Sequence, residues 1–137
     1  MLYKSYAELV NEFHNAFQVE NSRVPTWLPY DVEALRMRLI AEEFEELDEA
    51  LLDRDMVGVA DALADLVYVV IGMADVMGID FDSVFREVHR SNMSKLGDDG
   101  LPVRREDGKV LKGPGFVEPN LSRIIGDVIY DASVSNV

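Results

Sequence analysis

The chain has no cysteine among its 137 residues. Disulfides, thiolate metal sites and cysteine nucleophiles are excluded, and a reducing cytoplasm is the compartment that fits. Positive charge is scarce as well: 13 Lys and Arg face 26 Asp and Glu, for a formal net charge of −13. Nucleic acids and anionic membrane surfaces are bound through basic patches, so both kinds of partner are disfavoured. There are only two histidines, His14 and His89, and neither has a Glu three residues before it. That argues against a di-iron bundle, which needs Glu-x-x-His on two helices. A Gly-rich phosphate loop is missing too. Residues Met1 to Glu8 lack the apolar core of a signal peptide. The longest apolar run, Val57 to Ala74, is interrupted by Asp61 and Asp65. Two acids near its middle argue against a membrane span and for a buried helix.

What is present is a hydrophobic content of 48%, enough for one folded domain over residues 1–137. A first helix is expected over 5–18, capped by Ser5 with Glu8 three residues on. Tyr6, Leu9, Val10, Phe13 and Phe17 would form its apolar stripe. Residues 19–30 read as a loop broken by Pro25 and Pro29, with Trp27 packing there as a plug or lid. Asp31 is the expected cap of a second helix over 32–53. After Asp53-Arg54-Asp55 a third helix runs over 56–77 and stops at Gly78. So short a connector makes the two helices antiparallel neighbours. A fourth helix over 81–95 turns Phe81, Val84, Phe85 and Val88 inward and ends before Gly97. Asp107-Gly108 between Leu101–Arg105 and Lys109–Lys112 predicts a β-hairpin. Residues 97–118 thus form a hairpin and loop appendage. Residues 119–137 form a C-terminal tail with a short helix over 120–130, capped by Asn120, and a frayed end from Ala132. The fold class is all-α, a four- to five-helix bundle with a small C-terminal β-hairpin.

The chemistry gathers in Glu42-Glu43-Phe44-Glu45-Glu46. At about 100° per residue, Val32, Leu35, Leu39, Ile40, Leu47, Ala50 and Leu51 share one face of the second helix. Glu43 and Glu46 fall in the middle of that face and Glu42 at its edge, whereas Glu45 and Glu49 point away. Carboxylates aimed at a core need a neutralising partner. On the third helix Asp61 and Asp65 lie one turn apart, with Tyr68 and Gly72 continuing their face. Antiparallel packing would bring five carboxylates together, an all-oxygen set that suits Mg²⁺ or Mn²⁺.

Seven of the thirteen basic residues (Arg86, Arg90, Lys95, Arg104, Arg105, Lys109 and Lys112) lie between residues 86 and 112. Acids that hold metal beside a basic segment suit a polyphosphate. Lys95 is the strongest candidate, since Ser91-Asn92-Met93-Ser94-Lys95 closes its helix with a polar, directional set.

Glu42-Glu43-x-x-Glu46, followed by an acidic pair on the next helix, resembles the MazG-like all-α NTP pyrophosphohydrolases. That superfamily includes the dimeric dUTPases and phosphoribosyl-ATP pyrophosphohydrolase. Its second motif is Glu-x-x-Asp. Asp65 matches the Asp, Ala62 stands where the Glu would be, and Asp61 is taken as the substitute. Two further segments agree in order, Glu87 to Lys95 and Asp107 to Pro114, so the resemblance spans roughly residues 1–118 and points to a bacterial or phage branch. It implies a MazG-like bundle that hydrolyses a nucleoside triphosphate to the monophosphate and pyrophosphate, in the cytoplasm or a phage host's cytoplasm. The implied metal ligands are Glu43, Glu46, Asp61 and Asp65, with Mg²⁺ (or Mn²⁺) as cofactor and Glu42 acting on the attacking water. Asn92, Lys95, Lys109 and Lys112 would contact phosphates. Phe13, Phe17, Trp27 and Tyr68 would flank the base, and a homodimer (or a dimer of dimers) would complete the site. Phosphoribosyl-ATP is the alternative substrate. A non-catalytic helical dimer that binds metal or a partner protein is the alternative of another class.

Overall fold

The structure, a computed structural model, describes residues 2–130. In chain order it contains α1 (Tyr6–Ala16), β1 (Thr26–Trp27), α2 (Tyr30–Leu52), α3 (Met56–Met77), α4 (Phe81–Met93), β2 (Val103–Arg104), β3 (Val110–Leu111), α5 (Leu121–Ile125) and β4 (Ile129–Tyr130). Five helices and a few two-residue strands agree with the all-α expectation. Of the described residues, 2–81 with 127–130 form one compact unit and 82–126 another.

In the first unit α3 packs against both α1 and α2. Local chemistry sets these helices. The Ser5 side chain accepts from the Glu8 N–H while the Glu8 carboxylate accepts from the Ser5 N–H, the expected capping box. Asp55 caps α3 by accepting from the Gly58 N–H at 3.0 Å. Gly78 ends α3 at φ 73°, and a Cβ there would lie 2.1 Å from the Val24 carbonyl oxygen, so glycine is required twice over.

Asp31 does not cap α2. Pro29 occupies that position without a side-chain bond, and its carbonyl accepts from Val32 and Glu33 N–H, both at 3.0 Å. Proline's fixed φ suits a helix entry, and Asp31 sits in the first turn, where negative charge favours the helix dipole.

The core is Val10, Leu28, Ala62, Ile71, Ala74 and Val76. Of the α1 stripe only Val10 is enclosed, while Tyr6, Leu9, Phe13 and Phe17 are exposed. By length and composition α3 could cross a membrane. It is covered on one side only: Leu63, Val67 and Val70 are exposed, so the expectation of a buried helix holds for half of it. Trp27 is not a core plug. It is 47% exposed and lies in β1, which pairs in parallel with β4. The Ile129 N–H donates to the Pro25 carbonyl at 2.8 Å in the same ribbon. The expected helix over 120–130 is therefore only α5, capped by Asn120, and the chain beyond Gly126 turns into a strand. The expected fraying of Ala132–Val137 lies outside the described residues.

In the second unit β2 and β3 form the expected hairpin. Phe85, expected inward, is 62% exposed. Glu87 ties the unit together by accepting from Arg90 at 2.6 Å and from the Asn120 N–H at 2.9 Å. These bonds, the Arg90 one foremost, hold its carboxyl down at about 2.

Ile129→Pro removes the N–H that reaches Pro25. It should cost about 1 kcal/mol, typical of one hydrogen bond, and speed amide exchange over residues 22–28. Unchanged exchange there would show that β4 does not brace the loop.

Candidate functional site

Helices α2 and α3 run antiparallel along a seam that carries charge at two levels. At one level Glu43 and Glu46 of α2 meet Asp65 of α3, and one carboxylate oxygen from each lies within 4.8 Å of the others. At the other level Arg36 of α2 lies against Gly72 of α3, seven residues back on one helix and seven on along the other. That is two turns, or about 10 Å.

The acidic level is under electrostatic load. Glu43 is half-buried, and its Oε2 is shut off from solvent with no hydrogen-bond partner. Burial first, then the negative charges of Glu46, Asp65 and Asp61, raise the Glu43 carboxyl above the ordinary glutamate value. An enclosed, unpartnered oxygen in an all-carboxylate set is the donor chemistry that a hard divalent cation takes. The residues present fit such an ion.

Of the five acids expected to converge, three do. Asp61 is exposed and outside the triad, acting on Glu43 only through its charge. Ala62 is the residue that faces the seam, 3% exposed. By the antiparallel register it lies across from Glu46. Glu42 is exposed and also outside the triad. Glu45 is exposed, as its helical angle required.

The remaining candidates fall in separate places. Phe13 stacks on Phe17 at 4.4 Å and meets Tyr68 edge-on at 5.6 Å, forming a ring cluster between α1 and α3. Asn92, Lys95, Lys109 and Lys112 all belong to the second unit. There the Lys95 Nζ donates to Asn92 Oδ1 at 2.9 Å, and the Lys112 Nζ lies 4.7 Å from the Phe116 ring centre. The Gly113 N–H donates to the Lys95 carbonyl at 2.9 Å, which draws the Lys95 and Lys112 segments together. The Lys109 N–H donates to Asp107 Oδ1 at 3.1 Å in the hairpin turn.

Two buried polar residues stand outside the site expected from the sequence: His14, which the sequence favours as structural, and Arg36, to which it gives no role. His14 is 3% exposed, and its Nδ1 lies 2.7 Å from Asp75 Oδ2, while the Asn11 amide donates to Asp75 Oδ1 at 2.8 Å. Arg36 is 8% exposed and so lies within the core. The signal for Arg36 was its helical angle, which puts it on the same face as Glu43, opposite a glycine in an apolar helix.

A family model described as phosphoribosyl-ATP pyrophosphohydrolase matches residues 10–92, a span that includes the whole acidic triad. Uncharacterized protein L479 of Acanthamoeba polyphaga mimivirus is 35% identical over 68 residues, which cover 50% of this chain and 25% of that protein. The chain therefore spans about a quarter of that relative's length. A solved structure of a candidate NTP pyrophosphohydrolase from Exiguobacterium sp. 255-15 is 28% identical with a TM-score of 0.47, covering 86% of this chain and 90% of that one.

The raised Glu43 carboxyl has a definite sign. Between the ordinary glutamate value and the raised one the folded state binds more protons than the unfolded state, so stability falls as pH rises through that window. Glu43→Gln removes this penalty. In metal-free buffer near neutral pH its melting temperature should equal or exceed that of the unaltered protein, with no gain in strong acid. Millimolar Mg²⁺ or Mn²⁺ should stabilise the unaltered protein, by about 2.7 kcal/mol at a hundredfold excess over Kd, and the shift should shrink in acid as protons compete. An equal metal shift in both proteins would rule out a shared carboxylate site.

Proposed function

The chain belongs to the phosphoribosyl-ATP pyrophosphohydrolase family, part of the MazG-like all-α group, and on that footing we propose that it is a Mg²⁺-dependent nucleoside triphosphate pyrophosphohydrolase. It would convert (d)NTP to (d)NMP and pyrophosphate in the cytoplasm, for nucleotide-pool control or housecleaning. The observation that carries this reading is the triad of Glu43, Glu46 and Asp65, with its unpartnered buried oxygen, inside the matched segment.

Glu43, Glu46 and Asp65 would hold the ion, and Asp61 adds negative charge from outside the triad. When bound, Mg²⁺ or Mn²⁺ lowers the pKa of a coordinated water and offsets phosphate charge. Glu42, next to Glu43 and open to solvent, is the group assigned to take the water's proton. The water oxygen bonds to the α-phosphorus, the bond from that phosphorus to the bridging oxygen breaks, and pyrophosphate leaves. Asn92, Lys95, Lys109 and Lys112 are assigned to the phosphates on the chemistry of their ammonium and amide donors. Phe13, Phe17, Trp27 and Tyr68 remain the aromatic surfaces a base could use.

The exposed apolar side chains Tyr6, Leu9 and Phe17 of α1 and Leu63 and Val67 of α3 support a homodimer, because a second copy would take them out of water. The second reading keeps the reaction and makes phosphoribosyl-ATP the substrate, which the family's own description supports.

Pyrophosphate release should be measured over canonical dNTPs, NTPs, dUTP and phosphoribosyl-ATP with Mg²⁺. The unaltered protein should turn over at least one nucleoside triphosphate, and Glu43→Gln should lose about a hundredfold or more while keeping its helical circular dichroism. Full activity in the variant would sink the metal assignment. Preference for phosphoribosyl-ATP would select the second reading, and inactivity on every nucleotide would favour a non-catalytic metal- or partner-binding module. Light scattering should give twice the monomer mass, and Leu63→Glu with Val67→Glu should reduce it to the monomer.

A further inference from the structure

Arg36 has fewer partners than a buried guanidinium needs. Its Nη2 donates one long bond, 3.4 Å, to the Val69 carbonyl, and its Nε is enclosed with no acceptor. Asp75 exerts a favourable field on it. The two oxygens of that carboxylate, however, already serve the Asn11 amide and His14 Nδ1. A buried donor left unpaired is expensive and calls for an explanation.

The arrangement is also built. A Cβ on Gly72 would lie 2.2 Å from Arg36 Nη2, so only glycine lets the guanidinium lie against α3. Arg36 lines a cavity of about 480 Å³ whose other walls include Glu20, Asn21 and Ser22 from the loop beside the apolar Leu28, Val32 and Val76. Apolar walls with a few directional polar groups are the usual make-up of a small-molecule site. Along the seam, Arg36 stands two turns, about 10 Å, from the acidic triad. That is the scale on which a nucleotide's α-phosphate is separated from the far edge of its base.

We propose that this cavity receives the base of the substrate and that Arg36 selects oxo bases (guanine, uracil, thymine) over their amino counterparts (adenine, cytosine). A guanidinium can give two parallel bonds to O6 and N7 of guanine, or one to a pyrimidine O4. An amino group at the same ring position would meet it donor to donor, leaving both unpaired. This seat replaces the ring cluster of Phe13, Phe17 and Tyr68 as the place for the base: those rings could stack on any base but not select one, because every base has a π-face. The inference rests on the triphosphate reading of the acidic triad, but it can be tested apart from it.

The test is kcat/KM for dGTP, dUTP, dTTP, dATP and dCTP with the unaltered protein, Arg36→Met and Gly72→Ala. The unaltered protein should favour the oxo bases by about tenfold or more. Arg36→Met should collapse that preference by raising KM on the oxo substrates and lowering it on the amino substrates, which no longer face an opposed donor. Gly72→Ala, which displaces the guanidinium without removing it, should shift selectivity the same way and stands in if Arg36→Met does not fold. An equal loss on all five substrates would make Arg36 a structural residue and overturn the proposal, as would an unaltered protein with no oxo preference. Calorimetric binding of dGMP against dAMP separates the two readings. Arg36-dependent preference for dGMP without any hydrolysis would uphold the pocket and remove the enzyme. Hydrolysis with equal binding of both would do the reverse.

Discussion

Charge gathered along two antiparallel helices, half-buried at Glu43 and Asp65, exposed at Glu46 and buried at Arg36, is the constraint on which this protein is arranged. The α2–α3 seam could have been filled with aliphatic side chains. It carries instead three carboxylates at one level and a guanidinium two turns away. Neither group can be left bare inside a fold. The seam answers with small residues opposite large charged ones: Gly72 beside Arg36, and Ala62 across from Glu46. These small partners let the helices approach closely while the charged groups keep their room. The fold's own buried apolar set is short, so the seam's electrostatics weigh heavily in what the first unit can tolerate.

The Asp75 network gives the seam its third support. By holding Asn11 and His14 with its two oxygens, Asp75 ties α1 to α3 through polar bonds where a purely apolar contact would slide. His14, buried beside Asp75, is thereby a structural part of that tie. The same commitment leaves Arg36 with attraction to Asp75 but no bond from it.

Much of this was legible in the sequence because local chemistry set it. Ser5 with Glu8, the short Asp53–Asp55 connector and Gly78 are short-range signals, and they placed α1 and α3 to within a residue or two. Helical angle alone separated Glu43 from Glu45, whereas Glu46, expected to face inward, joins the triad from an exposed position. Signals that depend on distant neighbours failed. The β1–β4 pairing joins residues far apart through two-residue strands, too short to show any alternation. Asp61 looked equivalent to a seam position because it shares a face with Asp65, yet one residue of rotation put Ala62 at the contact. Asp31 lost the cap of α2 to Pro29, whose ring fixes the entry angle without any side-chain bond. The inward set expected for α4 failed at Phe85, since a stripe defines a face but not what covers it.

The β1–β4 ribbon has a consequence during synthesis. The acidic triad lies wholly within α2 and α3 and is encoded by residue 65. The loop that walls the Arg36 cavity emerges with Thr26, about a hundred residues ahead of its pairing partner Ile129. At ordinary translation rates that is an interval of roughly 5–20 s. For that time the two ends of the seam are unequal: the carboxylate end has every residue it needs, while the cavity end waits with one wall unbraced. The order of synthesis thus supplies every residue of the acidic end before it supplies the strand that braces the cavity.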